Sequence, residues 1–337
     1  MLYRGFLRLV DLLPLPSARA QRIIALLVIL SQALIAVTGS IVRVTASGLG
    51  CPTWPKCFDD SLVPIARQDV PWWHQAIEFG NRQIAVWIVI TLSAAIVLAV
   101  TRARRRREIL VYAWIMPAST IVQAVLGGIT VLTGLKWWVV GAHMLASCAM
   151  VWIAAVLFVK IAQPDDGGRT PAAPATARRL VAWAGAAMAL VLAAGTTVTG
   201  AGPHAGDRTN PEAIDRLKVS IPLLASIHGG LLVVFLAILS AAAVLIARGP
   251  SDEPVRRRVR ITLLVVCAQA LIGVVQYFTH VPGVLVVLHV AGACSVVAET
   301  AILYQLMAPR IARPGFPATS NTRGIRPSAG SAAAPRE

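Results

Sequence analysis

The chain has 337 residues, of which 57% are hydrophobic and only 14% charged, and its mean hydropathy is +0.71. Soluble domains average about 45–50% apolar and about 25% charged, so the pair of soluble domains that the length alone would allow is excluded. The formal charge of +16 does not mark a nucleic-acid partner, because the arginines sit in short segments between apolar blocks, a distribution that orients a membrane protein.

In chain order the apolar blocks predict eight membrane spans: Arg22–Val44, His74–Val100, Ile109–Leu132, Trp137–Ile161, Leu180–Gly200, Ile221–Ala247, Ile261–Tyr277 and Gly283–Met307. Each has roughly the length at which an apolar helix crosses a bilayer. The first is not a signal peptide: it is too long, contains Gln32, Thr38 and Ser40, and has no small-x-small cleavage site after a short apolar core. Residues 1–20 form an N-terminal segment, residues 21–161 a first four-helix half, residues 162–179 a linker and residues 180–308 a second half. The Arg-, Pro- and Ala-rich tail of residues 309–337 lacks the apolar content to fold and is expected to be disordered. The predicted architecture is an all-α membrane protein, eight transmembrane helices arranged as two pseudo-symmetric four-helix bundles.

Arginine placement predicts the orientation. Arg4, Arg8 and Arg19 precede the first span, Arg102 with Arg104 to Arg107 follow the second, Arg169, Arg178 and Arg179 the fourth, and Arg256 to Arg258 with Arg260 the sixth. By the positive-inside rule these segments and both termini are cytoplasmic. Residues 46–73 and 201–220 are mixed or acidic and face outward.

The two halves repeat. Gln123-Ala-Val-Leu-Gly127 lies twenty residues before His143, Gln269-Ala-Leu-Ile-Gly273 lies twenty before His289, and Cys148 and Cys294 each follow their histidine by five. His228 precedes Gln269 by 41 residues and Asn81 precedes Gln123 by 42. With four spans per half the repeats share one orientation, related by an axis along the membrane normal.

Ionisable groups inside a bilayer are costly and are functional candidates by default. His143, His228 and His289 all sit on even-numbered spans, at a depth of about 8–12 Å from the outer ends. Gly229 and Gly230 follow His228, and Gly292 and Ala293 follow His289; small side chains there leave room for a flat macrocycle. Neutral imidazole is an axial ligand of heme iron, so three histidines at matched depth in a repeated framework point to heme, against the blander reading of histidines hydrogen-bonded to neighbouring helices. Cys148, Cys267 and Cys294 read as small buried apolar residues. Cys51 and Cys57 lie in the outer loop Gly48-Leu-Gly-Cys-Pro-Thr-Trp-Pro-Lys-Cys57, on an oxidising side where a disulfide fits; a zinc site, lacking nearby third and fourth ligands, and a free pair are the alternatives.

Glu78 lies in His74-Gln-Ala-Ile-Glu-Phe-Gly-Asn-Arg82, where Glu78, Asn81 and Arg82 can share one helical face. It either pairs with Arg82 at the interface or faces a pocket as a carboxylate for proton transfer or charge stabilisation. Arg43, near the outer end of the first span, either snorkels outward or pairs with a propionate.

These residues resemble the heme A synthase family. The resemblance is carried by Ser47-Gly-Leu-Gly-Cys-Pro-Thr-Trp-Pro-Lys-Cys57 preceded by Arg43, by the Glu78 segment, and by the single histidines of spans four, six and eight, and it covers roughly residues 20–308. It implies a heme b held between His228 and His289. It also implies a heme O substrate ligated by His143, with Glu78 as the catalytic carboxylate that serves oxidation of the C8 methyl, through a hydroxymethyl intermediate, to the formyl group of heme A. The outer-loop cysteines would assist heme handling. Heme O synthase and cytochrome c oxidase assembly factors are implied partners in a bacterial plasma membrane, with lipid along the spans and a homo-oligomer among the states allowed. One departure stands out: where the family has a second N-terminal histidine this chain has Asn81, a poor iron ligand. Either His74, seven residues earlier, compensates, or His143 alone binds the substrate iron, which is the reading favoured here. A quinol-linked b-type electron-transfer cytochrome would need two complete histidine pairs. A transporter should show Gly/Pro-broken helices near the midplane, and the fourth span and the sixth beyond Pro222 contain no proline.

Overall fold

The computed structural model describes residues 2–68, 70–207 and 214–312. Eight helices are long and apolar enough to cross a membrane, and they are numbered here as spans 1 to 8: Ala18–Val44, Trp72–Arg102, Arg107–Leu132, Trp137–Ile161, Ala175–Ala201, Ile221–Arg248, Glu253–Phe278 and Gly283–Leu306. The chain is an all-α, multi-pass membrane protein. The predicted spans are all present, and most helices extend a few residues past the apolar blocks because capping, rather than hydropathy, ends a helix. The Ser17 hydroxyl accepts from the Ala20 amide at 3.1 Å and starts span 1 four residues before the predicted Arg22. Span 7 begins eight residues before the predicted Ile261, where Pro254 supplies a helix-ready φ and needs no amide partner. Span 2 is interrupted at Ile84–Val89 by π-helical turns, a local widening frequent at functional sites.

Within the first half, span 1 packs on spans 2 and 4, and span 3 on spans 2 and 4; within the second, span 5 packs on spans 6 and 8, and span 7 on spans 6 and 8. Spans 1 and 4 also meet span 8, and spans 4 and 8 meet span 5, so these four helices join the halves. The diagonal partners stand apart: neither spans 2 and 4 nor spans 6 and 8 approach within 8 Å, Cα to Cα. Close packing gathers toward the arginine-rich ends. Ala25, Val28, Ile96, Ile109, Met116 and Leu157 form one buried cluster, and Val181, Phe235, Leu239, Ile246, Val259 and Leu303 another. Toward the cysteine-loop ends packing thins: span 8 buries nothing before Cys294, and span 6 nothing between Leu224 and Phe235.

The N-terminal segment carries a helix, Leu2–Asp11, that the apolar-block reading did not foresee. Asp11 ties it to Arg104 at 2.7 Å. Arg105 binds both carboxylate oxygens of Asp165, the Gln21 side chain and the carbonyls of Ile161 and Gln163. The first residues of the predicted tail pair with the linker: β2, Arg310–Ile311, runs antiparallel to β1, Gly168–Arg169. Residues beyond 312, on which the rest of the disorder expectation falls, lie outside the described residues.

Candidate functional site

In the second half, His228 on span 6 and His289 on span 8 face each other across the diagonal, with ring centroids 6.3 Å apart and planes inclined by 60°. Each ring rests on a glycine of the preceding span. A Cβ on Gly195 would stand 3.1 Å from Cε1 of His228, and one on Gly273 would stand 2.9 Å from Cε1 of His289. Nδ1 of His228 lies 2.9 Å from the Val191 carbonyl; a carbonyl only accepts, so Nδ1 carries the proton and Nε2 keeps a lone pair for a metal. Gln269 Nε2 donates to the His289 main-chain carbonyl at 2.7 Å, while His289 Nδ1 is buried without a hydrogen-bond partner.

The glycines beside the histidines do not all play the expected part. A Cβ at Gly229 or Gly230 would meet nothing within 4 Å; Gly230 is exposed and lies on the far side of the helix from His228. Gly292 is corrected: a Cβ there would stand 1.8 Å from Gln269 Oε1, so this glycine makes way for the glutamine and not for a macrocycle.

The first half repeats the plan with changes. His143 lies over Gly127 at ordinary contact, 3.6 Å from Cε1 to a built Cβ. Gln123 donates to the Ser147 hydroxyl at 2.8 Å, and Ser147 donates to the His143 carbonyl at 3.0 Å. Across the diagonal, on span 2, Asn81 Oδ1 accepts from the Thr38 hydroxyl at 2.7 Å. His74 sits farther along, stacked on Trp73 with its Nδ1 3.0 Å from Ser47 Oγ. It is engaged with Ser47 in the loop after span 1, not with Asn81.

Glu78 is 4% exposed. It accepts from the Cys51 amide at 2.7 Å and pairs with Arg82 at 2.6 Å. Arg82 in turn donates to the carbonyls of Cys51, Thr53 and Lys56. The two side chains thus hold the loop closed by the Cys51–Cys57 disulfide against span 2. From that loop Trp54 packs onto Gly128, where a Cβ would stand 2.6 Å from Cδ2, next to the glycine under His143. Of the two sequence readings of Glu78 the Arg82 pair is present, and the carboxylate is buried against the disulfide loop. Arg43 crosses to the other half and donates through Nη2 to the Thr199 carbonyl. Ser147, Thr199 and Arg216 were not singled out in the sequence, and Thr38 only as a polar residue of the first span. The glutamine and glycine of the repeat were, without their role.

The arrangement defines an eight-span membrane protein in which the second and fourth helices of each half stand apart as the two sides of a cleft, with half-buried imidazoles on spans 4, 6 and 8. The model of the cytochrome oxidase assembly protein family matches residues 22–301, and the chain belongs to that family, the one in which the heme A synthases fall. It is 30% identical over 147 residues to "Heme A synthase" of Geobacillus kaustophilus (strain HTA426), a match covering 41% of this chain and 44% of that protein. Over 152 residues it is 30% identical to the protein of the same name from Geobacillus thermodenitrificans, covering 44% of each. Over 166 residues it is 26% identical to that of Rhodopseudomonas palustris (strain HaA2), covering 47% of this chain and 45% of that protein. The chain spans about half the length of the curated relatives it matches.

Proposed function

We propose that the chain is a heme A synthase that oxidises the C8 methyl of heme O to a formyl group through a hydroxymethyl intermediate, with heme b as cofactor. The observation that carries this reading is the imidazole pair across spans 6 and 8. Two imidazoles bound to one metal at about 2.0–2.1 Å, on opposite sides, hold their ring centres a little over 6 Å apart, and the observed separation is 6.3 Å. The open space at Gly229 and the preset tautomer of His228 fit the same group. His228 and His289 would hold heme b, which supplies one-electron transfer when bound.

In the first half His143 is the iron ligand for the substrate. Asn81, already bonded to Thr38, leaves the opposite position open, which suits a substrate that must depart. Each two-electron oxidation, its electrons passing one at a time to an acceptor outside the chain, puts positive character on the carbon of the C8 methyl group. Glu78 stabilises that charge and takes a proton from the water that attacks there. Two such oxidations and the loss of one water convert methyl to formyl. The Arg82 guanidinium and the Cys51 amide hold the Glu78 carboxylate in place, and the disulfide loop with Trp54 excludes bulk water from the cleft. The arginine-rich ends face the cytoplasm of a bacterial plasma membrane. Heme O synthase and oxidase assembly factors are the partners this role requires.

The test is pigment extraction after co-expression with a source of heme O. Heme A or its hydroxymethyl precursor is expected. Heme b accompanied only by unmodified heme O would refute the reading and leave an electron-transfer cytochrome.

A further inference from the structure

We propose that Arg43 and Arg216 form a two-guanidinium clamp for paired carboxylates, whose ligand is the propionate edge of the heme held by His228 and His289; the assignment rests on the heme reading above. Arg43 reaches from the last turn of span 1 to the Thr199 carbonyl. Arg216 Nε donates to the next carbonyl, that of Gly200, at 3.2 Å. Anchored on consecutive carbonyls, the two cations are brought side by side. Among the described residues no carboxylate reaches ion-pairing distance of either. Two neighbouring guanidinium groups that meet only carbonyl dipoles among the described residues are a site for an anion, and the planar fork of each matches a carboxylate in two-point contact.

The helix whose carbonyls hold them identifies the anion. Span 5 presents Val191, Gly195 and Thr199 at intervals of four, one stripe of the helix with about 6 Å per step. The Val191 carbonyl takes the proton of His228 Nδ1, Gly195 lies under the same ring, and Thr199 binds Arg43. The metal-binding imidazole and the clamp therefore share a ruler, with the clamp one turn beyond the ring's glycine. A flat ligand with metal at its centre and two carboxylates on one edge meets both ends of that ruler. A neutral macrocycle would leave the clamp unpaired. Arg43 belongs to span 1 and Arg216 to the segment after span 5, so the bound edge would also tie the two halves together.

The test compares hemin with hemin dimethyl ester, binding each to the full-length chain in detergent and following the low-spin absorption. The wild type should bind the diacid about tenfold or more tightly than the ester, the scale of one charge-assisted contact. That comparison needs no variant and survives any folding defect. Arg43→Gln and Arg216→Gln should each lower diacid affinity about tenfold and leave ester affinity within about twofold, and Arg43→Lys should recover part of the loss. Equal affinity for diacid and ester in the wild type, or an undiminished preference in both Gln variants, overturns the clamp alone. A wild type that forms no low-spin complex with either probe overturns the heme reading and the clamp with it.

Discussion

Gln269 Nε2 donates to the main-chain carbonyl of His289 at 2.7 Å, across the twenty residues that separate them in the chain. Gln123 reaches the His143 carbonyl in the first half at one remove, through the Ser147 hydroxyl. Four residues after each glutamine comes the glycine on which the ring lies. The repeated Gln-x-x-x-Gly is thus a seat for the histidine of the next span: the amide pins the helix backbone, and the missing Cβ admits the ring.

The two seats differ in tightness, and that difference predicts opposite responses. Gly273→Ala would press a Cβ to 2.9 Å of His289 Cε1, so the ring must shift, at about 1–3 kcal/mol for overpacking. Gly127→Ala meets His143 at 3.6 Å, and alanine is the better helix former by about 0.5–1 kcal/mol. Thermal melts of the purified variants should show a clear loss for the first and none for the second. Equal losses would show that these glycines do not set the ring positions.

Replacing His228 or His289 by alanine should each abolish low-spin heme b, since a single imidazole cannot complete the axial pair. Absorption spectra of reduced membranes decide this. Full low-spin heme b in both variants would remove the pair from the cofactor site.

Glu78→Gln keeps shape and can still meet the Cys51 amide, but it deletes the charge opposite Arg82. If Glu78 serves the chemistry, the variant retains heme b and accumulates in the membrane yet makes no heme A. If its role is only to pair with Arg82, now left with the three loop carbonyls, turnover persists while the loop loosens. Near-normal heme A from this variant would refute the catalytic role.

Cys51 and Cys57 form one bond, so Cys51→Ser and Cys57→Ser should act alike and the double variant should be no worse than either. Closing so short a loop contributes about 2 kcal/mol in the chain-entropy account. Additive losses in a thermal melt would indicate that the two sulfurs act separately.

The five arginines around the second connection are not equivalent. Arg105 is 10% exposed and doubly bonded to Asp165, whereas Arg107 is exposed and enters no ion pair among the described residues. Arg105→Ala should destabilise by on the order of 1–2 kcal/mol, because Asp165 is left with Arg106 alone and the Ile161 carbonyl and Gln21 lose their guanidinium donor. Arg107→Ala should stay within about 0.5 kcal/mol. Similar melting temperatures for the two would contradict this division.

The span count, the repeat and the three candidate histidines were legible in the chain from composition and spacing, and the family from the resemblance of the cysteine loop and the Glu78 segment. A bilayer makes the span count nearly decisive, since an apolar block of that length has few other places to go. The disulfide was one of three readings of Cys51 and Cys57, and the folded loop selected it. Three things needed the tertiary structure. The face-to-face approach of His228 and His289 depends on how spans 6 and 8 stand across their bundle, which no periodicity encodes. Gly292 looked like room for a ligand, yet it makes way for Gln269, because a glycine's neighbour comes from another helix. Arg43 could snorkel or pair on its own evidence. Only the crossing to the Thr199 carbonyl, 156 residues away, brought it beside Arg216, since like charges far apart in sequence meet only where the fold holds them together.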